Sequence, residues 1–555
     1  MTGAKLSWRE WLMLALVSLA LYLPGFTSLP PTDRDESRYV VTTNRMIDTG
    51  DVVDLRFQDQ PRYVQPAGIY WLQSASAAVL GGADHSAIWA YRIPSLLGAL
   101  AAVLMTAWLG AHFFGRQVGL AAAVLLASCF SLNFEARIAK IDATLLACIT
   151  GAQLALMRAY IEPKIGRWTS AAFWIALGVG LLVKGPLVVL VSGATILALV
   201  IWDRKARWLL NLRPAWGPLL TLAIALPWFV AIGVMTHGDF YSRSLMRNFL
   251  GKVGTSEQGH KGPPGYHLAL LIGAFWPASL LAFRAVGFAW RERATPLIRF
   301  LLCWLIPSWM VFELVATKLP HYVLPTYPAL ALIAAAALFA PQVENKTRGW
   351  VFALVCVLWL GVSAAIAGLG PAIEMREQHL TDGLAIGLAL ASFAAACGAL
   401  YLLWRKRLAF AVAALTLAAL ISWTNVFAVV APKLTHVWLS AEINRQARAL
   451  QPCLGSRLVT TPYSEPSLVF LYGWRRTVLS PDGGAAASAF AANPACNVAL
   501  IGETDRQAFL EGVAVRRAAV REAGHFDGRN YSNGANLHLT FYVAAQAPLQ
   551  TPQGR

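Results

Sequence analysis

Charged side chains are scarce in this chain of 555 residues: Asp, Glu, Lys and Arg together make up 14% of it, against 57% hydrophobic residues. With a mean hydropathy of +0.53, that scarcity excludes an ordinary soluble domain. Runs of about 18 or more apolar residues recur, as a polytopic membrane protein requires. No His/Cys cluster has zinc-site spacing. No internal repeat is visible, and the fifth to tenth apolar runs have no matching second half, which weighs against a transporter built from repeats. Cysteines number seven. Five of them (Cys129, Cys148, Cys303, Cys356, Cys397) fall in apolar runs as packing residues. Cys453 and Cys496 lie outside these runs, where an oxidising compartment permits a disulfide; paired and free states both stay open. The first run, LMLALVSLALYLPGF, lacks a small-residue cleavage site, so it is expected to be retained as a span rather than removed as a signal peptide.

Thirteen apolar runs are expected to cross the bilayer, at 8–26, 88–112, 117–134, 142–160, 169–183, 187–202, 214–233, 266–283, 297–315, 323–340, 349–369, 382–404 and 408–430. With the N-terminus in the cytoplasm, the short cytoplasmic connections hold Arg116, Lys164, Arg167, Arg204, Lys205, Arg207, Arg213, Arg291, Arg293, Lys346, Arg348 and Arg405 to Arg407. That distribution obeys the positive-inside rule. It also explains the formal charge of +17 without nucleic acid. The fold class read from this pattern is an all-α polytopic membrane protein, residues 1–430, with catalytic outer loops at 27–87 and 234–265. A small α/β domain on the periplasmic face, residues 431–555, follows from compact apolar runs (RLVTT, NVALI, LHLTFYVA) separated by helix-like stretches and turn signals.

The remaining charges gather at the outer ends of the spans: PTDRDESRYVV at 31–41, Lys140 and Asp142, Lys184, Arg247 among the bases of the long connection after the seventh run, and Lys318 with His321. Ionisable groups at membrane depth usually mark a site. Bland readings stand beside this one: Arg34 and Arg38 on lipid headgroups, a snorkelling Lys184, an interfacial His321, and Asp142 as a helix cap. The chemistry that suits the set is transfer of a group from a phosphorylated lipid. Cationic clamps hold a leaving phosphate. A carboxylate, or a carboxylate-bound metal, orients or activates the acceptor. Aromatic residues including Tyr70 and Tyr322 offer a setting for a sugar ring.

The stretches RDESRYVVTTNRMIDTGDVVDLRFQDQPRYVQPAGIYWLQ (34–73), ARIAKIDATLLA (136–147), LLVKGPL (181–187), GPPGYHLALLIGAFWP (262–277) and TKLPHYVLPTYPALA (317–331) resemble, in order, those of the C-type-fold glycosyltransferases that use polyprenyl-phosphate sugars. The resemblance is to the aminoarabinose (lipid A) transferase branch and its protein O-mannosyltransferase relatives. It implies Asp35 and Asp142 as catalytic acids and Lys184 as a phosphate contact. It departs from the family where a lysine is expected before the proline of VQPAGIYW and Gln65 stands instead, with Arg62 as a possible substitute. The full expected site is Asp35, Asp142 and Glu36 in catalysis, with Arg38, Arg62, Gln65, Tyr70, Lys184, Arg247, Lys318, His321 and Tyr322 binding substrate. Asp35 and Glu36 are also the expected ligands if a divalent metal (Mg, Mn or Zn) takes part; a site without one stays equally open. The expected activity is transfer of a sugar, 4-amino-4-deoxy-L-arabinose among the candidates, from undecaprenyl phosphate to lipid A or a related envelope glycolipid. This would occur at the periplasmic face of a bacterial inner membrane, by a monomer. A protein hydroxyl as acceptor is the alternative, and transport of the lipid-linked sugar a third.

Overall fold

The computed structural model describes residues 3–82, 84–244, 262–340 and 349–545. Its first half is a helical bundle: α1 (Trp8–Tyr22), α2 (Asp35–Thr49), α3 (Gly68–Leu80), α4 (Ile88–Phe114), α5 (Arg116–Ser128), α6 (Phe130–Ala136), α7 (Asp142–Ile161), α8 (Arg167–Lys184) and α9 (Leu187–Asp203). The chain is a multi-pass membrane protein. Each of the thirteen apolar runs falls on helix, but thirteen crossings are not established. Among the described residues eight helices are long and apolar enough to span, or nine if α5 and α6, bent by 66°, count as one. Helix α1 has 15 residues and α9 has 17. The run at 266–283 divides into Tyr266–Ala274 and Ser279–Arg291, as Pro277 between them dictates, since proline cannot continue the hydrogen-bond ladder.

Two breaks position the polar groups. At the α6 end, the buried Arg137 guanidinium donates to the carbonyls of Asn133 (2.6 Å) and Leu21 (2.5 Å) and lies 4.2 Å over the Phe427 ring. It thereby satisfies helix-end carbonyls that apolar surroundings would leave orphaned. The chain then turns through residues 138–141 into Asp142. At the other break α8 ends on Lys184, and Gly185 follows at φ +67°. Only glycine adopts that backbone region freely, so the turn into Pro186 and α9 fixes where Lys184 stands.

Residues 439–544 form the small α/β unit anticipated from the sequence. A hairpin in the first loop, β1 (Arg56–Phe57) with β2 (Gln60–Pro61), precedes it in the chain. The unit's five-stranded sheet has the order β4-β3-β5-β7-β6, from β3 (Leu458–Thr461), β4 (Thr477–Leu479), β5 (Val498–Gly502), β6 (Val520–Arg529) and β7 (Asn536–Ala544). Strand β3 pairs in parallel with β4 and β5, while β7 pairs antiparallel with β5 and β6. The central strands β3 and β5 are buried throughout because helices cover both faces. Leu458, Val498 and Leu500 pack with Ile443, Leu468 and Tyr472 on one side. Val459, Ala499 and Ile501 pack with Phe490 and Phe509 on the other. Cys453 and Cys496 are bonded, with Cα atoms 5.4 Å apart.

This unit sits on the first loop through both apolar and polar contacts. Val469 and Phe470 join Val40, Val41 and Tyr91 in one buried cluster, with the Tyr91 and Phe470 rings edge to face at 5.8 Å. The Gln58 amide donates to the carbonyls of Trp474 (3.0 Å) and Thr477 (2.8 Å), and the Trp474 indole donates to Asp48 (2.9 Å). The Asp33 backbone N–H donates to the Tyr531 hydroxyl at 2.7 Å, and the Ser467 hydroxyl donates to the Asp33 carboxylate. Burial pushes the Asp33 carboxyl up to about 6, with the Ser467 hydrogen bond opposing and the Glu465 charge adding to it. A carboxyl whose value rises from 3.8 to about 6 favours the docked state at low pH, and that contribution is lost as pH rises through the window. At pH 7 the docked form therefore carries a buried charge that Asp33→Asn removes, while the amide oxygen still accepts from Ser467. Asp33→Asn is expected to raise the unfolding temperature of the detergent-solubilised protein at pH 7, by at most about 2–3 kcal/mol of stability. The gain shrinks toward zero near pH 4. A uniform destabilisation across pH would contradict this reading of the contact.

Candidate active site

Adjacent acids at the start of α2 have opposite fates. Glu36 is fully buried. One carboxylate oxygen accepts from Arg92 Nε (2.8 Å) and the Ala139 N–H (2.8 Å). The other accepts from Arg92 Nη2 (3.1 Å) and from the Thr32 N–H (2.8 Å) and hydroxyl (3.0 Å). Arg92 in turn donates to the carbonyls of Phe26, Leu29 and Pro30 at 2.8–3.1 Å. Burial works against the Glu36 charge, but Arg92 and the two backbone donors more than offset it and hold the carboxyl below its ordinary range. The expected catalytic and metal-ligating role for Glu36 is therefore corrected. Every acceptor direction is used by protein donors, and the residue is a buried anchor. Removing one partner of such a pair costs on the order of 3–5 kcal/mol.

Asp35 is exposed at the first position of α2. Its charge acts on Arg38, Arg62, Lys140 and Tyr322, so it faces the groups expected around it. Arg34, at φ +62°, and Arg38 flank it in sequence. Burial, with the nearby Arg62 guanidinium next, holds Arg38 below its usual range. Like charges brought together at the edge of a membrane suit an anionic ligand. Arg62 lies 5.2 Å over the Tyr39 ring, which packs 5.5 Å from the fully buried Tyr70. Gln65 is half-buried ahead of α3.

A second group is a cage of alternating charge at the α6–α7 break. Asp142 Oδ1 is 2.6 Å from Lys184 Nζ, and its Oδ2 is 3.8 Å from both Lys140 Nζ and His321 Nε2. Glu135 Oε1 is 3.4 Å from Lys140 Nζ and 3.6 Å from His321 Nδ1. Burial works against the Lys140 charge, yet Glu135 and Asp142 more than offset it and raise its affinity for the proton. The Lys184 ammonium also lies 5.9 Å over the Tyr322 ring. His321 is carried by a 3-10 segment, Pro320–Thr326. That segment is steadied by His267, whose ring nitrogens meet Glu313 (2.8 Å) and the Leu319 carbonyl (3.1 Å). Lys318 turns instead to the Gly262 carbonyl at 3.1 Å.

The fold thus brings Asp142, Lys184, His321 and Tyr322 together, with Asp35, Arg38 and Arg62 beside them. Arg247 lies outside the described residues. Glu135 and Lys140 complete the cage; the signal for them was the spacing in EARIAKID, which places two acids and a lysine within eight residues around a helix break. Glu135, Asp142 and His321 also present ligand atoms within 4.8 Å of one another. Two carboxylates and an imidazole are a donor set that divalent cations accept. The same oxygens, however, face the ammoniums of Lys140 and Lys184, which already supply the compensating charge. These residues fit one another better than they fit an ion.

Residues 64–231 match the family described as dolichyl-phosphate-mannose-protein mannosyltransferase. An undecaprenyl phosphate-alpha-4-amino-4-deoxy-L-arabinose arabinosyl transferase of Yersinia pestis (strain Pestoides F) is 26% identical over 381 residues, covering 65% of this chain and 67% of the relative. The enzyme of the same name from Erwinia tasmaniensis is 28% identical over 346 residues, 59% and 61% of the two chains. The crystal structure of ArnT from Cupriavidus metallidurans bound to undecaprenyl phosphate superposes with a TM-score of 0.74 at 19% identity, over 99% of this chain and 100% of that one. The chain has the membrane-embedded C-type glycosyltransferase fold, and in sequence it is similar to the aminoarabinose transferases and, over 64–231, to the protein O-mannosyltransferases.

Proposed function

We propose that the protein transfers a sugar, with 4-amino-4-deoxy-L-arabinose the leading candidate, from undecaprenyl phosphate to lipid A or a related envelope glycolipid. The observation that carries the reading is the pairing of one exposed carboxylate, Asp35, with a buried cage whose lysines are held by carboxylates. Lys184 is the donor-phosphate contact: as the sugar leaves, negative charge grows on the phosphate, and an ammonium already in place stabilises it without reorganisation. Asp142 holds that ammonium, and Arg38 and Arg62 receive the second anionic group. Asp35 orients the acceptor. A lipid phosphate is ionised near neutral pH and needs no base, whereas a hydroxyl acceptor requires Asp35 to take its proton. The names of the relatives support the aminosugar donor, and the positive-inside pattern supports a periplasmic site with the α/β unit, 431–555, on the same side. All the groups invoked come from one chain, so a monomer suffices.

The match to protein mannosyltransferases over 64–231 favours a protein hydroxyl as the second reading. Mass spectra of lipid A from a strain lacking this protein, beside the glycoproteome of its secreted proteins, separate the two. Loss of a sugar-sized increment from lipid A with unchanged proteins is expected; unchanged lipid A with lost protein glycans would replace the proposal with the second reading.

The clamp has its own test. Lys184→Ala is expected to reduce kcat/KM for transfer by the equivalent of about 2–4 kcal/mol, by analogy with loss of an oxyanion donor. Lys184→Arg retains part of the activity, since charge survives while the point-like ammonium geometry does not. Transfer by Lys184→Ala at the parental rate, measured with purified protein and donor lipid, would assign the phosphate contact elsewhere.

A further inference from the structure

The α/β unit reaches the opening of α2 through Ser467 and Tyr531, and Tyr531 is the exposed one of the two. Tyr531 is held by its hydroxyl, which accepts from the Asp33 N–H at 2.7 Å, two residues from Asp35. The residue nevertheless remains 44% exposed. The ring stands nearly perpendicular to that of Trp438, with centroids 6.1 Å apart at 78°, and the Trp438 indole is fixed by the Ala431 carbonyl at 2.6 Å. Asn530, its neighbour, is buried and donates to Glu465 at 2.8 Å, while the Glu465 charge acts on Arg38 and on Asp33. A partly exposed aromatic side chain anchored at its hydroxyl and packed against a second ring costs little conformational entropy on binding. Tyr531 stands beside the exposed Arg34 and half-buried Arg38 at the opening of α2.

We propose that Tyr531, braced by Trp438, is a specificity-determining residue for the acceptor, stacking on a sugar ring of a phosphorylated glycolipid head group while the Arg34 guanidinium joins Arg38 and Arg62 in meeting its phosphate. The sugar's C–H face packs on the aromatic face, and the anionic group lies within reach of cations that the same loop supplies. The assignment rests on the glycolipid-acceptor reading and gives the α/β unit a direct part in it.

The test is steady-state transfer by purified full-length protein, with lipid A as acceptor and the undecaprenyl-phosphate sugar as donor, varying each in turn. Tyr531→Ala is expected to raise the acceptor KM roughly tenfold, as loss of one stacked ring implies, with donor KM changed less than about twofold. Tyr531→Leu, which keeps bulk but not the aromatic face, gives the same split and guards against a folding defect in the alanine variant. Tyr531→Trp holds the acceptor KM near the parental value. An unchanged acceptor KM in Tyr531→Ala, or equal losses for donor and acceptor in both Tyr531→Ala and Tyr531→Leu, overturns the assignment. Absence of transfer to lipid A by the unmodified protein overturns the glycolipid reading itself, and the two failures are distinct.

Discussion

The carboxylate of Glu36, buried with the Arg92 guanidinium, is the contact around which the outer end of the bundle is arranged. A pair of charges taken fully out of water survives only if its remaining hydrogen-bonding capacity is met, and here that demand is satisfied by backbone from three places. Glu36 takes the Thr32 N–H from the first loop and the Ala139 N–H from the break before α7; Arg92 takes carbonyls of residues 26, 29 and 30. The start of α2, the side of α4 and the α6–α7 break are thereby locked together. Asp35 is one residue from this lock on one side, and Lys140 and Asp142 are one and three residues from it on the other. The ion pair contributes no chemistry. It determines that an exposed acid and a buried charge cage share one site.

The cage follows a different logic. Asp142 and Glu135 without their lysines would be uncompensated carboxylates at membrane depth, and the lysines without them would be unpaired ammoniums. Either is costly in an apolar setting. Paired, the four hold each other in place. Lys184 gains a fixed position from Asp142 and from the Gly185 turn, which under the proposed function sets its charge in place for the donor phosphate. Asp35, by contrast, is exposed and free to meet an acceptor. Under the proposed function, the cage is the pre-organised donor side and the exposed Asp35 the open acceptor side.

Much of this was legible in the sequence because the membrane makes charge rare. In an apolar chain, Asp35, Asp142, Lys184 and His321 stand out against the spans, and the helical bundle and α/β unit follow from run length and turn chemistry. Glu36 was misread because two adjacent acids look alike in a string. On a helix they point about 100° apart, and only the fold reveals that one of them meets Arg92, 56 residues away. Glu135 was passed over because it lies inside an apolar helix, and its partner His321 comes from a segment nearly two hundred residues on. Ser467 and Tyr531 were illegible for the same reason: their contacts with Asp33 span 434 and 498 residues, and no local periodicity encodes such a meeting. The count of thirteen spans is not established where length alone was the guide, since Pro277 and the bend after Ser128 break runs that hydropathy reads as continuous.

The central claim is that an exposed Asp35, beside a donor-phosphate cage, performs glycosyl transfer. The most direct measurement is single-turnover transfer by purified Asp35→Asn, beside the unmodified protein, with thermal unfolding and undecaprenyl-phosphate binding recorded on the same samples. Transfer is expected to be abolished while unfolding and binding stay unchanged, because Asp35 is exposed and lies outside the Glu36–Arg92 lock. Transfer by Asp35→Asn at the parental rate would contradict it.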